Sequence, residues 1–251
     1  MPTLFLVRHG KTLWTEEKRF AGWGNAPLSD TGRKEALAAG RVLKKSGYSF
    51  DLCLTSCLLR AKDTAQIIAN EIGAPTNSIH YKWRLNERHY GALQNNLRAA
   101  MIQTYGAADV SQWRNNYHAR PPELDDDDPR WHEQLERLPD IPESLQPRSE
   151  SMAEAAARAK PLWSEEIAPA LQSRKNVLVI AHTNSIRSLV GSIENLTETQ
   201  LAGFRISTAT PRHYELDANL APLYVHDVTD STKAKLHHWI IRKKLQWLGK
   251  L

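Results

Sequence analysis

Two histidines stand directly after apolar runs. Leu4-Phe5-Leu6-Val7 runs into Arg8-His9-Gly10, and Val177-Leu178-Val179-Ile180-Ala181 runs into His182-Thr183-Asn184-Ser185. A weaker run, Asp51 to Thr55, leads to Ser56, with Arg60 one helical turn later. A neutral imidazole is a nucleophile and a proton carrier near physiological pH. Guanidinium forks grip phosphate oxygens two at a time. Hydroxyls and free N–H groups at a helix start make an anion cradle. Singly, each residue has a plainer explanation: a histidine after a strand is usually just hydrogen-bonded, and Arg60 could sit in a surface ion pair. Jointly, His9, His182, Arg8 and Arg60, with Arg187 as a further candidate, point to phosphoryl chemistry.

The elements that must position them follow from the same runs. Thr3 to Val7, Asp51 to Thr55 and Val177 to Ala181 read as short strands buried on both faces of a parallel sheet. Ligands bind beyond the carboxyl ends of such strands, which is where both histidines fall. Ser29 and Asp30 offer N-caps to a helix carrying Ala36, Leu37, Gly40 and Leu43, with Gly47 as its stop. A second helix after Ser56 carries Leu58, Leu59, Ala61, Ala65, Ile68 and Ala69 and ends near Gly73. Met152 to Leu171 is alanine-rich and helical, with a kink or break at Pro161. Strands alternating with helices predict an α/β, three-layer fold with a mainly parallel central sheet flanked by helices. The Pro-rich, polar stretch of about 90–146 shows little periodicity. It reads as an insertion over one edge of the sheet and the site. We take 1–251 as a single catalytic domain whose tail, about 224–251, stands apart.

Bulk composition excludes several classes. At 251 residues, 41% hydrophobic and 24% charged, the chain can bury an ordinary core. No apolar run approaches the roughly 20 residues of a membrane span, and the apolar start is too short for a signal peptide. Two cysteines, Cys53 and Cys57, cannot build a disulfide framework and make a poor zinc pair, so reduced thiols in a cytoplasmic protein are expected. The net charge of +5 favours an anionic partner. No helix-turn-helix, RNA-binding or zinc-finger pattern accompanies it, and a small phosphorylated acid explains the charge without nucleic acid. Asp125 to Asp128, before Pro129, reads as a solvated turn rather than a metal site. No metal is expected.

Leu6-Val7-Arg8-His9-Gly10 resembles the signature of the histidine phosphatase (phosphoglycerate mutase-like) superfamily. Trp83-Arg84-Leu85-Asn86-Glu87-Arg88-His89-Tyr90-Gly91-Ala92-Leu93-Gln94 is similar to the segment that marks bisphosphoglycerate-dependent phosphoglycerate mutases. Phe20-Ala21-Gly22-Trp23, Gln112-Trp113-Arg114, Pro121-Pro122-Glu123-Leu124, Thr208-Ala209-Thr210-Pro211 and Tyr214-Glu215-Leu216 fall in that family's order. The resemblance spans roughly Thr3 to Leu223. It implies that His9 becomes phosphorylated and that Arg8, Arg60, His182 and the N–H groups around Thr183 and Asn184 carry the charge of the phosphoryl group in flight. Glu87 would shuttle protons. Arg88, Tyr90, Arg98 and Arg114 would grip the substrate's carboxylate and distal phosphate, and Thr12, Thr15, Ala21, Gly22 and Asn115 complete the binding set. The implied reaction interconverts 2- and 3-phosphoglycerate, primed by 2,3-bisphosphoglycerate, with no metal or other cofactor. The alternatives are a bisphosphoglycerate synthase or phosphatase, a histidine-type phosphatase with another substrate, and, in a different class, a non-enzymatic binding protein. Relatives are often homodimers or homotetramers.

The departures concentrate on substrate handling. Lys11 replaces a usual glutamate, Thr15 an asparagine, Ala21 a threonine or cysteine, Asn115 a second arginine, Arg98 a lysine and Thr183 a glycine. A glycine there would let backbone approach phosphate closely, so Thr183 must fit a β-region geometry or crowd the pocket. His237 to Leu251 places Ile241, Leu245 and Leu248 on one helical face, with Arg242, Lys243 and Lys244 largely off it. This tail is expected to dock on the domain and shield the site, with membrane-surface binding as the weaker alternative. Gly249-Lys250-Leu251 is a weak match to a Ser-Lys-Leu peroxisomal address, and a cytoplasmic location is expected.

Overall fold

The structure, a computed structural model, describes residues 2–229. Its strands are β1 (Thr3–Arg8), β2 (Leu52–Thr55), β3 (Ile79–Tyr81), β4 (Asn176–Ala181), β5 (Arg212–Leu216) and β6 (Pro222–Asp227). They form one sheet in the order β3-β2-β4-β1-β5-β6. The pairings β3–β2, β2–β4 and β4–β1 are parallel, whereas β1–β5 and β5–β6 are antiparallel. The sheet is therefore mixed: the three apolar runs account for strands of its parallel part, and they do not suggest the antiparallel β5 and β6. β5 and β6 escape that reading because Arg212, His213, Glu215, His226 and Asp227 interrupt their apolar pattern.

Helices cover both faces. They are α1 (Leu13–Glu16), α2 (Asp30–Ser46), α3 (Leu59–Ile72), α4 (Arg98–Tyr105), α5 (Ala107–Asn115), α6 (Pro129–Arg137), α7 (Met152–Leu162), α8 (Ala168–Gln172), α9 (Thr183–Glu194) and α10 (Glu198–Gly203). Successive residues of a strand point to opposite faces. Leu4, Leu6, Val177 and Val179 meet Ile186, Leu189 and Val190 of α9, with Leu162 and Leu171 behind. Phe5, Val7, Leu178 and Ile180 meet Ala39 and Leu43 of α2 and Ala65 and Ile68 of α3. Both layers need apolar partners, so β1 and β4 are apolar at consecutive positions.

Local signals set the helix ends. Ser29 Oγ accepts the Gly32 N–H at 3.2 Å, and Gly47 closes α2 at φ 76°, a left-handed conformation that glycine adopts without a Cβ penalty. Pro161, which lacks an N–H, sits in the last turn of α7, and a π-helical turn at Trp163–Ile167 joins α7 to α8. The stretch 90–146 holds α4, α5 and α6. Its weak periodicity has a simple origin: Val110 is the one buried residue of α4 and α5. After α6, Leu138 and Ile141 pack against Trp23 and Leu58. Asp128, last of the aspartate run, caps α6. Among the described residues no cluster of His, Cys, Asp and Glu could hold a metal, and no helix is long and apolar enough to cross a membrane. Cys53 and Cys57 are free thiols. Tyr224 to Asp227 belong to β6. Residues 230–251, with the amphipathic tail and Gly249-Lys250-Leu251, lie outside the described residues.

Candidate active site

Register brings the two histidines together. Arg8 of β1 lies opposite Ala181 of β4, so the next residue of each strand, His9 and His182, leaves the sheet beside the other. Their ring centroids are 4.9 Å apart, and the His9 N–H donates to Ala181 O at 3.0 Å. On the other side of β4, Thr55 of β2 pairs with Ile180 and delivers Ser56 to the same rim. Gly10 must lack a side chain, since a Cβ there would lie 2.3 Å from Gly32 O at the start of α2.

The hydrogen bonds assign the His9 tautomer. Nδ1 lies 2.7 Å from Gly10 O, and a carbonyl only accepts, so Nδ1 carries the proton and Nε2 keeps its lone pair. Arg60 Nε–H donates to that lone pair at 3.3 Å. Arg60 is buried, and its Nη2 and Nη1 each donate to a carbonyl, Gly22 O at 2.7 Å and Gly24 O at 3.0 Å. Burial first, then the charges of Arg60 and Arg8, holds the His9 pKa well below the usual histidine value. His182 is held down by burial and by the same arginines. Burial lowers Arg60 itself to about 10, which still leaves it cationic at neutral pH. A neutral imidazole facing fixed cations is an arrangement that could attack a phosphoryl group.

Glu87 arrives from the irregular segment between the 3-10 turns Trp83–Leu85 and Gly91–Leu93 and is buried. Its Oε1 accepts the Arg88 N–H at 2.8 Å and the Asn184 N–H at 3.1 Å. Its carbonyl accepts the Trp23 indole N–H at 2.6 Å and Arg158 Nη2–H at 3.1 Å. A carboxylate bound to the first turn of α9 thus stands at the end of the strand that carries His182.

Other candidates divide into those that face the site and those that do not. Arg88 is fully buried, yet its Nε, Nη1 and Nη2 have no hydrogen-bond partner among the described residues; its guanidinium lies 4.4 Å from the Tyr90 ring centroid. Buried donors without acceptors are costly unless a ligand supplies the acceptors. Half-buried Arg114 is depressed by burial and by the charges of Arg98, Arg88 and Arg205, which places these cations together. Arg8 Nη1–H donates to Ile206 O at 3.2 Å and its Nε is unpartnered. Thr12 is buried, and its hydroxyl lies 2.8 Å from that of Thr15. Gly22 holds Arg60, and Ala21 is half-buried beside it. Asn115 is not brought in: it is exposed and turns its amide back to Ser111 Oγ. Arg187 is a strut rather than part of the cradle, because it donates twice to Phe204 O and once to Asn184 Oδ1. Thr183 is the first residue of α9, after His182 as N-cap, so its backbone is helical and not in the β region.

Two arginines that sequence reasoning missed hold the site from outside. Arg158 pairs with Glu150 at 2.6 Å, with both side chains nearly buried, and donates to the carbonyls of Arg84, Asn86 and Glu87. Arg137 of α6 donates to Trp23 O at 2.9 Å, while its Nε and Nη1 are buried without a hydrogen-bond partner. Nothing in the sequence singles either out. A separate open cavity of about 680 Å³ lies between Trp83, Trp131 and Pro161. Of its four arginines, Arg120, Arg148 and Arg158 are ion-paired, and Arg84 lies over the Trp83 ring.

A family model described as histidine phosphatase superfamily, branch 1, matches residues 4–138 and 122–221. The fold is similar to that of a mycobacterial glucosyl-3-phosphoglycerate phosphatase solved with VO3. Identity there is 25%, the TM-score is 0.66, and the match covers 86% of this chain and 93% of that one. An alpha-ribazole phosphatase from Shigella flexneri shares the fold at 22% identity and TM-score 0.66, over 89% of this chain and 95% of the other.

Proposed function

The chain belongs to the histidine phosphatase superfamily, branch 1, and from that premise we propose that it hydrolyses a small phosphorylated acid through a phosphohistidine on His9. The observation that carries the reading is the His9 Nε2 lone pair, held beside Arg60 and His182. Nε2 attacks phosphorus, and the bond from phosphorus to the ester oxygen breaks. The departing oxygen keeps the electron pair and takes a proton from the Glu87 carboxyl. Water then returns a proton to Glu87 and attacks phosphorus, and the N–P bond breaks, restoring the lone pair to Nε2. Arg8, Arg60 and His182 balance the charge on the equatorial oxygens, so alignment and electrostatics do most of the work. No metal enters this scheme.

Hydrolysis is preferred to transfer onto a second acceptor because the 25%-identical neighbour is named a phosphatase. The substrate's second anionic group falls to Arg88, whose unpartnered donors call for acceptor oxygens, with Arg98, Arg114 and Tyr90 beside it. That same feature, with the segment Trp83 to Gln94, supports a second reading: a mutase interconverting 2- and 3-phosphoglycerate, primed by 2,3-bisphosphoglycerate. One assay separates them. Phosphate release and isomerisation are followed together on 3-phosphoglycerate, with and without the bisphosphate. Release that exceeds isomerisation and ignores the bisphosphate is expected. Isomerisation that outpaces release and depends on the bisphosphate would establish the mutase instead.

A further inference from the structure

Ser56 is fully buried at the end of β2, and its hydroxyl lies 2.7 Å from His182 Nε2. The neighbouring Thr55 is tied to β4 by a hydrogen bond from its Oγ1 to Ile180 O at 2.9 Å, so the position is set by the sheet. The Ser56 oxygen already accepts the Leu58 N–H at 3.2 Å. A serine hydroxyl has one proton to donate, and the acceptor within reach is His182 Nε2. We propose that Ser56 is a positioning residue that fixes the His182 tautomer: Nε2 accepts from the hydroxyl, and the ring proton resides on Nδ1.

Nδ1 of His182 is buried and has no hydrogen-bond partner among the described residues. With a proton there, it is a donor waiting for an acceptor, and a phosphoryl oxygen beside His9 supplies one. The two histidines then carry the same tautomer, held from opposite ends of the ring. A carbonyl, Gly10 O, draws the His9 proton to Nδ1 and leaves Nε2 as nucleophile. A hydroxyl, Ser56 Oγ, occupies His182 Nε2 and leaves Nδ1–H as donor. Without that hydroxyl, Nε2 would be a buried acceptor with no donor, and the proton would shift to it. A lone pair on Nδ1 would then face the phosphoryl anion.

This inference rests on the proposed phosphoryl site, but its test does not need turnover. Long-range ¹H–¹⁵N spectra of the imidazoles report which nitrogen bears the proton, and inorganic phosphate serves as the binding probe. Wild-type protein at neutral pH should show His182 protonated on Nδ1. Ser56→Ala should move the proton wholly or partly to Nε2 and weaken phosphate binding about tenfold or more. Ser56→Thr, which keeps a hydroxyl, should restore both. Wild-type His182 protonated on Nε2 would overturn the proposal, whether or not the variants fold. So would an unchanged tautomer and unchanged phosphate affinity in folded Ser56→Ala. Absence of a phosphoenzyme on His9, with the Nδ1–H tautomer present, would instead count against the hydrolysis reading.

Discussion

Glu87 Oε1 receives the backbone N–H of Asn184 across 3.1 Å, joining the segment after the 3-10 turn Trp83–Leu85 to the first turn of α9. The two residues are 97 positions apart in sequence, and the bond fixes the carboxylate beside the loop that carries His182. Trp23 and Arg158 hold the Glu87 carbonyl from behind. In the proposed hydrolysis a proton shuttle must reach both the departing oxygen and the incoming water without reorganising, and this bracing would hold Glu87 for that.

Glu87→Gln keeps the acceptor for the Asn184 and Arg88 N–H groups but cannot exchange a proton. Turnover should fall by about 10²–10⁴-fold with little change in thermal stability. A loss of less than about tenfold would remove Glu87 from the shuttle role.

Arg88→Met retains the side-chain stem and removes a buried cation that has the Tyr90 ring beside it but, among the described residues, no hydrogen-bond acceptor. Its thermal midpoint should therefore hold or rise. Affinity for 3-phosphoglycerate should drop by about 10–100-fold, the worth of charge-assisted hydrogen bonds. Hydrolysis of p-nitrophenyl phosphate, which has no second anion, should change little. Equal losses on both substrates would place Arg88 outside the distal subsite.

Much of this arrangement was legible in the sequence because it follows from local rules. Consecutive apolar residues at Leu4 to Val7 and Val177 to Ala181 can be satisfied only by a strand covered on both faces, and the residue after such a strand falls at the ligand-binding rim. Ser29 and Gly47 mark the ends of α2 by capping chemistry that needs no tertiary context. β5 was hidden because His213 and Glu215 are buried polar residues in a strand, and α4 and α5 because they bury almost nothing. Arg137 and Arg158 act on carbonyls 71 to 114 residues away, so no spacing reveals them. The segment Trp83 to Gln94 carries Glu87, Arg88 and Tyr90, the residues of the proposed shuttle and distal subsite. It does not reveal whether water or an alcohol accepts the phosphoryl group, which depends on access to the site.

Buried histidines set the acid limit of stability. His89 is fully buried, and burial pulls its pKa down to about 3; His9 and His182 are also lowered by burial. An unfolded histidine titrates near 6.5, so below that pH the unfolded chain binds protons that the native fold refuses. Stability from these groups is complete above about pH 6.5 and declines as pH falls. For His89 the loss by pH 5 is about 2 kcal/mol, at about 1.4 kcal/mol per pH unit. Urea unfolding at pH 7.5 and 5.0 should show the decline, and His89→Gln should narrow the difference. Equal stability at both pH values would mean that these histidines take up protons in the native fold.

The phosphoryl group on His9 is the central claim, and rapid-quench labelling tests it most directly. Protein mixed with ³²P-labelled 2,3-bisphosphoglycerate or 3-phosphoglycerate is quenched in base, and the protein-bound label is then exposed to acid. Wild-type protein should carry phosphate that survives base and is released by acid, and His9→Ala should carry none. Label that persists in His9→Ala, or wild-type turnover with no protein-bound phosphate at any quench time, would contradict the assignment of His9 as the nucleophile.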